Sequence, residues 1–293
     1  MRIAGEVFYQ RGDEVIVGRE SPLRHQIASI SKQFTAAAVL LLAQDGKLTP
    51  EDPLDRWFPG WPGVTLHHLL SHTSGIAHWA DHPELDLRVS PPDFVELARG
   101  WPVITAPGTE FRYSSPGYVL LAHVVQEVAG EPFRDFLTRR VFGAAGLVRT
   151  FSGLPGDRTD VAAGHDAQGN AVPSWDLDGL GLGTGDIWST TAELITWMDR
   201  LHEGAVIGEP WRTLMLTRRV ATGGDDFGSG YGYGVFTGTW HGEPWIQHSG
   251  DNAGYKSFAA ILPESRRRVA VLTDSDALVG EHLQTLLERL LRA

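Results

Sequence analysis

The chain has 293 residues, 42% hydrophobic and 21% charged, enough to bury one large core or two closely packed ones and too apolar for a disordered segment. A formal net charge of −11 excludes the basic footprint of a general nucleic-acid binder, and the absence of cysteine excludes disulfides, thiol nucleophiles and zinc–thiolate sites. The longest apolar run, Ala36–Ala43, falls far short of the roughly 18 residues a membrane span needs, so neither nucleic acid nor membrane is an expected partner.

The N-terminal stretch alternates polar and apolar residues without a long apolar core, which does not read as a signal peptide and points to a cytoplasmic protein. Within it, Gly5–Tyr9 and Glu14–Val17 flank Arg11-Gly12-Asp13 and predict a β-hairpin. Ser29–Gln44 is apolar nearly all round after its first turn, the pattern of a fully buried helix, with Gly46 as its stop. Helices are then expected at Leu66–Leu70, Pro92–Ala98, Gly117–Ala129 with Gly130 as stop, Pro132–Val141 and Thr191–Leu201. Strand patterns return at Gly232–Thr237, Trp245–His248, Ser257–Leu262 and Arg268–Thr273. After Asp274-Ser275-Asp276, a last helix carries Val279, Leu283, Leu286, Leu287, Leu290 and Leu291 at helical spacing.

Strands at both ends and helices in the middle predict an α/β (α+β) protein. Its antiparallel sheet is built from N- and C-terminal strands, flanked by helices, with a mostly helical region inserted. The expected division is residues 1–48 plus 200–293 as the sheet region and 49–199 as the helical region, with an active site between them.

Ser29-Ile30-Ser31-Lys32 fits S-x-x-K, whose first and last members share one face of a helix. A serine hydroxyl needs a base, and a lysine buried in an apolar helix start has its pKa lowered towards that role. The helix start also offers backbone N–H groups to a developing oxyanion. The competing reading is Ser29 as an N-cap with Lys32 reaching solvent. Downstream, Tyr113 lies in a loop just before a helix, where its hydroxyl can shuttle protons or simply anchor the loop. His248-Ser249-Gly250 lies at the end of an expected strand, with Gly250 letting a ligand lie close along the backbone.

Together these segments resemble the serine β-lactamase and penicillin-binding-protein superfamily, most closely its class C β-lactamase-like branch of esterases, D-amino-acid peptidases and amidases, and transacylases. Tyr113-Ser114-Ser115 resembles the family's Y-x-N and His248-Ser249-Gly250 its K-T-G. Leu69–Gly75 resembles its L-L-x-H-T-S-G loop, Asp45–Leu48 its D-G-K-L helix end, and Gly183–Thr191 its G-x-x-S-T segment. The resemblance implies a serine hydrolase in which Ser29 is acylated, Lys32 and Tyr113 move protons, and His248 completes the catalytic set. It implies an oxyanion hole from the backbone N–H groups of Ser29 and Asp251, and substrate contacts from Ser115, Ser249 and Gly250. Ser115 stands where Asn is frequent and is expected to touch Lys32 or the substrate amide. His248 replaces a lysine that meets the substrate carboxylate, which favours the esterase and peptidase members. Asp251 is expected to point its charge away from the site.

The implied substrate is a small ester, amide or short D-configured peptide, cleaved through an acyl-enzyme. Acyl transfer in a biosynthetic pathway and a non-catalytic ligand-binding or sensor domain are the alternatives. Only about two dozen residues precede Ser29, fewer than the family's pattern, so one sheet face is expected to be less covered or covered by a partner in a homodimer.

Other groupings carry weaker expectations. His67, His68, His72, His78 and His82 crowd one segment, with His68 and His72 at metal-ligand spacing, yet no H-E-x-x-H accompanies them. A hydrogen-bonded loop is expected there, and no metal or other cofactor. Trp61, Trp79, Trp175, Trp188, Trp240 and Trp245 fall in loops or at strand ends, and at least one is expected to line an apolar pocket. The glycines from Gly223 to Gly234 predict a flexible, lid-like loop, and Arg266-Arg267-Arg268 a solvated turn.

Overall fold

The structure, a computed structural model, describes residues 6–19, 21–82, 84–85, 93–173, 177–278 and 280–291. Gly5, Pro92, Trp175 and Val279, which figure in the expectations above, lie outside them.

The chain opens with the antiparallel hairpin β1 (Glu6–Arg11) and β2 (Glu14–Arg19), turning at Gly12 with φ 58°. A short strand, β3 (His25–Gln26), leads into a 3₁₀ turn at Ala28–Ile30 and then α1 (Ser31–Gln44). Every residue of α1 except Gln44 is buried, as its unbroken apolar sequence requires. The helical stretch follows: α2 (Leu66–Leu70), α3 (Phe94–Arg99), α4 (Ser115–Ala129), α5 (Phe133–Phe136) running through a π-turn at Leu137–Phe142 into α6 (Gly143–Ala145). Gly130 stops α4 in the left-handed region at φ 71°, where a Cβ would be strained. The helix expected over Pro132–Val141 is thus interrupted by the π-turn.

Two short strands, β4 (Phe151–Ser152) and β5 (Ile187–Ser189), pair with β3 in a small sheet ordered β3-β5-β4. Then come α7 (Thr191–His202), capped by Thr190, and α8 (Trp211–Leu216), a short helix the sequence pattern did not reveal. Strands β6 (Val220–Ala221), β7 (Gly230–Tyr231), β8 (Phe236–Trp240), β9 (Glu243–Asn252), β10 (Tyr255–Leu262) and β11 (Arg267–Thr273) precede α9 (Gly280–Leu291). The main sheet is ordered β2-β1-β11-β10-β9-β8-β7-β6 and every pairing in it is antiparallel. N- and C-terminal strands join one sheet, as expected.

Burial on both faces explains the near-continuous apolar runs of β10 and β11. Ala259, Ile261, Ala270 and Leu272 face the core shared with α1, α4 and α7, while Phe258, Ala260, Val269 and Val271 pack in a second cluster with Leu287, Leu290 and Leu291 of α9. The strand expected at Gly232–Thr237 is broken into β7 and β8. A Cβ on Gly234 would lie 2.7 Å from the Lys32 carbonyl oxygen, and one on Gly232 would lie 2.3 Å from that of Met215, so the chain bends here to pack against α1 and α8. Among the described residues no helix is long and apolar enough to cross a membrane.

Of the basic run expected to form a solvated turn, only Arg266 lies in the turn at 263–266, where it pairs with Asp13; Arg267 and Arg268 open β11 and pair with Glu243 and Asp199, Arg268 being buried. The glycine-rich 223–229 segment is not a free lid. The Asp226 carbonyl accepts from the Thr239 amide, and the Phe227 carbonyl accepts from Trp245 Nε1 at 2.9 Å, tying the loop to β8 and β9.

Candidate active site

Ser29 sits in the 3₁₀ turn rather than in the α-helix proper, and no side chain caps the start of α1. Its hydroxyl is therefore not consumed as an N-cap. Ala28, just before it, has φ 47°, a left-handed backbone costing about 1–2 kcal/mol for a residue with a Cβ. The surroundings hold that strain in place. A Cβ on Gly250 would lie 2.4 Å from the Ile27 carbonyl oxygen and 2.9 Å from Ala28 Cβ, and Ser257 Oγ donates to the same carbonyl at 2.7 Å. On the side where its Cβ would point, Gly250 makes room for the protein's own turn. The third motif lies inside β9 rather than at a strand end, because residues 248–252 pair with Tyr255–Ala259 of β10.

Lys32 lies one turn on, fully buried, with Nζ 2.9 Å from Ser29 Oγ and donating to the Thr184 carbonyl at 3.1 Å. Burial pushes its pKa well below the ordinary lysine range. Nζ also stands 5.0 Å from the centre of the Tyr113 ring. Burial raises the Tyr113 phenol above the ordinary tyrosine range, against a weaker opposing pull from the neighbouring Ser29 hydroxyl. At neutral pH the phenol is protonated, and a neutral amine this close can accept the serine proton.

His248 is buried, and its two ring nitrogens are engaged. Nδ1 faces the Ser249 carbonyl at 2.6 Å, so it carries the proton, which leaves Nε2 to accept from the Tyr231 hydroxyl at 3.2 Å. Burial, with the Lys32 charge second, pushes its pKa down to about 3. This histidine is neutral and cannot replace a carboxylate-binding lysine as a cation. Ser115 is buried in the first turn of α4, but Lys32 bonds Ser29 and Thr184 rather than Ser115. Ser249 and Asp251 are exposed, on the opposite face of β9 from His248 and Gly250, and Asp251 pairs with Lys256, so its charge does point away.

The Gly183–Thr191 segment stood out in the sequence only by its resemblance to G-x-x-S-T; what its residues hold did not. The segment 183–187 straps α1: Thr35 Oγ1 donates to the Gly183 carbonyl at 2.6 Å, Lys32 to Thr184, Asn252 Nδ2 to Gly185 at 3.0 Å, and the Ile187 amide to Ser31 Oγ at 3.2 Å. Asp186 holds the strap from behind. It accepts from the Gly183 amide at 3.0 Å and from Ser152 Oγ, and burial raises its pKa to about 6. Phe111 and Phe236, half-exposed like Ser29 and Tyr113, flank the buried Tyr231; the Phe236 ring lies parallel to that of Tyr113 at 6.5 Å. These rings form an apolar wall beside Tyr113. Trp61, Trp79, Trp188, Trp240 and Trp245 are buried in the core, and Trp175 lies outside the described residues.

The histidine-rich segment is a hydrogen-bonded loop, as expected. His67 bonds Tyr233, His68 completes a capping box with Thr65, His72 Nδ1 accepts from the Ser114 amide, His78 caps the turn at Trp79–Asp81, and His82 meets Glu84. Among the described residues no cluster of three or more His, Asp or Glu is arranged to hold a metal.

A serine and a buried lysine one turn apart, beside a loop tyrosine and packed on an antiparallel sheet, are the site arrangement of the serine β-lactamase and penicillin-binding-protein superfamily. The chain belongs to the Beta-lactamase family, whose model matches residues 21–292. It is 29% identical over 279 residues to Penicillin-binding protein 4* of Bacillus subtilis, covering 86% of this chain and 60% of that one. It is 32% identical over 156 residues to Esterase EstB of Burkholderia gladioli, covering 44% of this chain and 39% of that protein. The crystal structure of a penicillin-binding protein from Bacillus halodurans superposes with a TM-score of 0.85 at 27% identity, covering 98% of this chain and 96% of that one. The chain thus spans about three fifths of its Bacillus subtilis relative.

Proposed function

We propose that the protein is a serine hydrolase that cleaves small, uncharged esters, or amides of D-configured residues, through an acyl-enzyme at Ser29. The observation that carries this reading is Lys32 Nζ, buried, 2.9 Å from a hydroxyl that caps no helix. Donation to the Thr184 carbonyl orients the amine. A neutral Lys32 takes the Ser29 proton as Oγ attacks the carbonyl carbon. The backbone N–H groups of Ser29 and Asp251 receive the oxyanion, a contribution worth about 3 kcal/mol per donor in the transition state. The Tyr113 phenol, kept protonated by burial beside Ser29, hands its proton to the leaving alkoxide or amine and regains one from the Lys32 ammonium. Water then enters where the leaving group departed, and the same groups run the transfer in reverse.

The substrate preference follows from charge. His248 is neutral with Nε2 occupied, so it offers no cation to a substrate carboxylate, while Phe111 and Phe236 offer apolar contact. The test is a panel of p-nitrophenyl esters and D-aminoacyl amides read against Ser29→Ala, with fluorophosphonate labelling followed by intact mass. Loss of turnover and of the mass shift together is the expected result. Full-rate ester hydrolysis by Ser29→Ala, or an unlabelled wild-type protein, overturns the reading.

A further inference from the structure

His72 plays no part in the chemistry above, yet its surroundings are built around Tyr113. The two peptide N–H groups that flank Tyr113 both end on this one residue: the Arg112 amide donates to the His72 carbonyl at 2.7 Å, and the Ser114 amide donates to His72 Nδ1 at 3.1 Å. The imidazole also lies against the Tyr113 ring, centroids 4.2 Å apart at 38°. No other side chain both brackets the Tyr113 backbone and touches its ring in this way among the contacts around the site.

Two further features show that the arrangement is specific to a neutral histidine. An amide N–H can only donate, so Nδ1 must be unprotonated and the ring proton sits on Nε2. That Nε2 is buried and has no hydrogen-bond partner; the ring is enclosed by Tyr113, Tyr118, Tyr231 and Phe111, with centroids 4.2–5.9 Å away. An unmet donor is costly to keep in a core. The backbone is strained as well, with His72 at φ 56°. A residue serving only as filler would be replaceable by an apolar side chain without the cost of the unmet donor. Burial first, with Lys32, His248 and His78 facing the ring behind it, holds the His72 pKa well below the ordinary histidine range, so the acceptor at Nδ1 persists near neutral pH.

We infer that His72 is the positioning residue for Tyr113: its carbonyl and Nδ1 clamp the peptide on either side and its ring sets the phenol's tilt towards Ser29 and Lys32. The inference rests on the proposed proton-transfer role of Tyr113. It predicts that the acceptor at the Nδ1 position, not the bulk of the ring, governs turnover.

The experiment is a double-mutant cycle on ester hydrolysis. Asn places its side-chain oxygen near the Nδ1 position and tolerates the left-handed backbone, whereas Gln places it near Nε2. His72→Asn is expected to keep kcat within about tenfold of wild type, and His72→Gln and His72→Ala to lose about 100-fold in kcat with KM little changed, on the scale of misplaced catalytic groups. In a Tyr113→Phe background, His72→Gln is expected to cost no more than about threefold further, because the group it positions is already gone. Thermal melting and fluorophosphonate labelling of Ser29 identify which variants are folded, and the Asn–Gln contrast stands even where the Ala variant fails to fold. Equal losses for Asn and Gln, or a loss from His72→Gln that is fully additive with Tyr113→Phe, overturns the positioning role. A Tyr113→Phe protein that retains wild-type turnover instead overturns the role of Tyr113 itself, so the two failures are told apart.

Discussion

Asp186 offers the most direct test of how the 183–187 strap supports the site. Its carboxylate is fully buried, 3.9 Å from Arg134 Nε, and accepts from the Gly183 amide and Ser152. Burial nonetheless wins, raising its pKa from 3.8 to about 6. The folded carboxyl therefore keeps its proton to a higher pH than the unfolded one. Its contribution to stability is fully present below pH 3.8, falls as pH rises to about 6, and is level above that. At about 1.4 kcal/mol per pH unit, the gap amounts to about 3 kcal/mol lost across that window. Asp186→Asn removes the titration while keeping an acceptor for Gly183 and supplying an N–H to Ser152. Urea unfolding of both proteins between pH 4 and 7.5 is the assay, with the variant gaining up to about 3 kcal/mol on the wild type from the low to the high end. A stability difference that stays constant across this range refutes the argument. Asp186→Ala leaves the Gly183 amide buried without its acceptor, at a cost of about 1–3 kcal/mol. It also releases the strap, so kcat is expected to fall at least tenfold as Lys32 loses its fixed acceptor.

Lys32→Arg keeps the charge but cannot lose a proton, and is expected to lower kcat/KM by about 10²–10⁴, measured on a p-nitrophenyl ester; activity within tenfold of wild type removes Lys32 as base. In the wild type, kcat/KM is expected to rise with pH through an inflection below the ordinary lysine range, set by Lys32, with no contribution between pH 5 and 8 from His248, whose pKa lies at about 3. A His248→Gln profile that loses an inflection near pH 6.5 contradicts that assignment. Gly250→Ala puts a Cβ 2.4 Å from the Ile27 carbonyl oxygen and is expected to destabilise the fold by about 1–3 kcal/mol and to slow Ser29 acylation; thermal melting and fluorophosphonate labelling rates measure the two effects.

What was legible in the sequence was local. Ser29 and Lys32 meet because three residues make one turn, and α1 and α9 announce themselves by apolar spacing along a single segment. Gly130 and Thr190 mark helix ends by chemistry that acts within a few residues. What escaped was made by distant segments. Nothing near Thr184 indicates that its carbonyl receives Lys32, 152 residues away, nor near Asp186 that Ser152 and Arg134 gather round it. Gly250 illustrates the same limit: nothing beside it in the chain indicates that the space where its Cβ would point belongs to Ile27 and Ala28. Position in a loop likewise does not report burial, which Trp61 and Trp188 acquire from elements far along the chain.

The ionisable groups around Ser29 share one property. Burial lowers the pKa of Lys32, His72 and His248 and raises that of Tyr113, Tyr118 and Tyr231, so each is driven towards its uncharged form. A resting site without charge is one in which a charge pair created by the reaction is poorly screened and strongly felt. In the proposed mechanism the Lys32 ammonium and the oxyanion appear together as Ser29 attacks, and stabilise one another. A substrate that brings its own carboxylate disturbs this balance before any bond is made. The negative charge would favour protonated Lys32, remove the lone pair that must take the serine proton, and find no other buried cation in exchange. If Lys32 is the base proposed above, the burial that lowers its pKa also disfavours a charged substrate, so substrate preference and base strength should move together when either is altered.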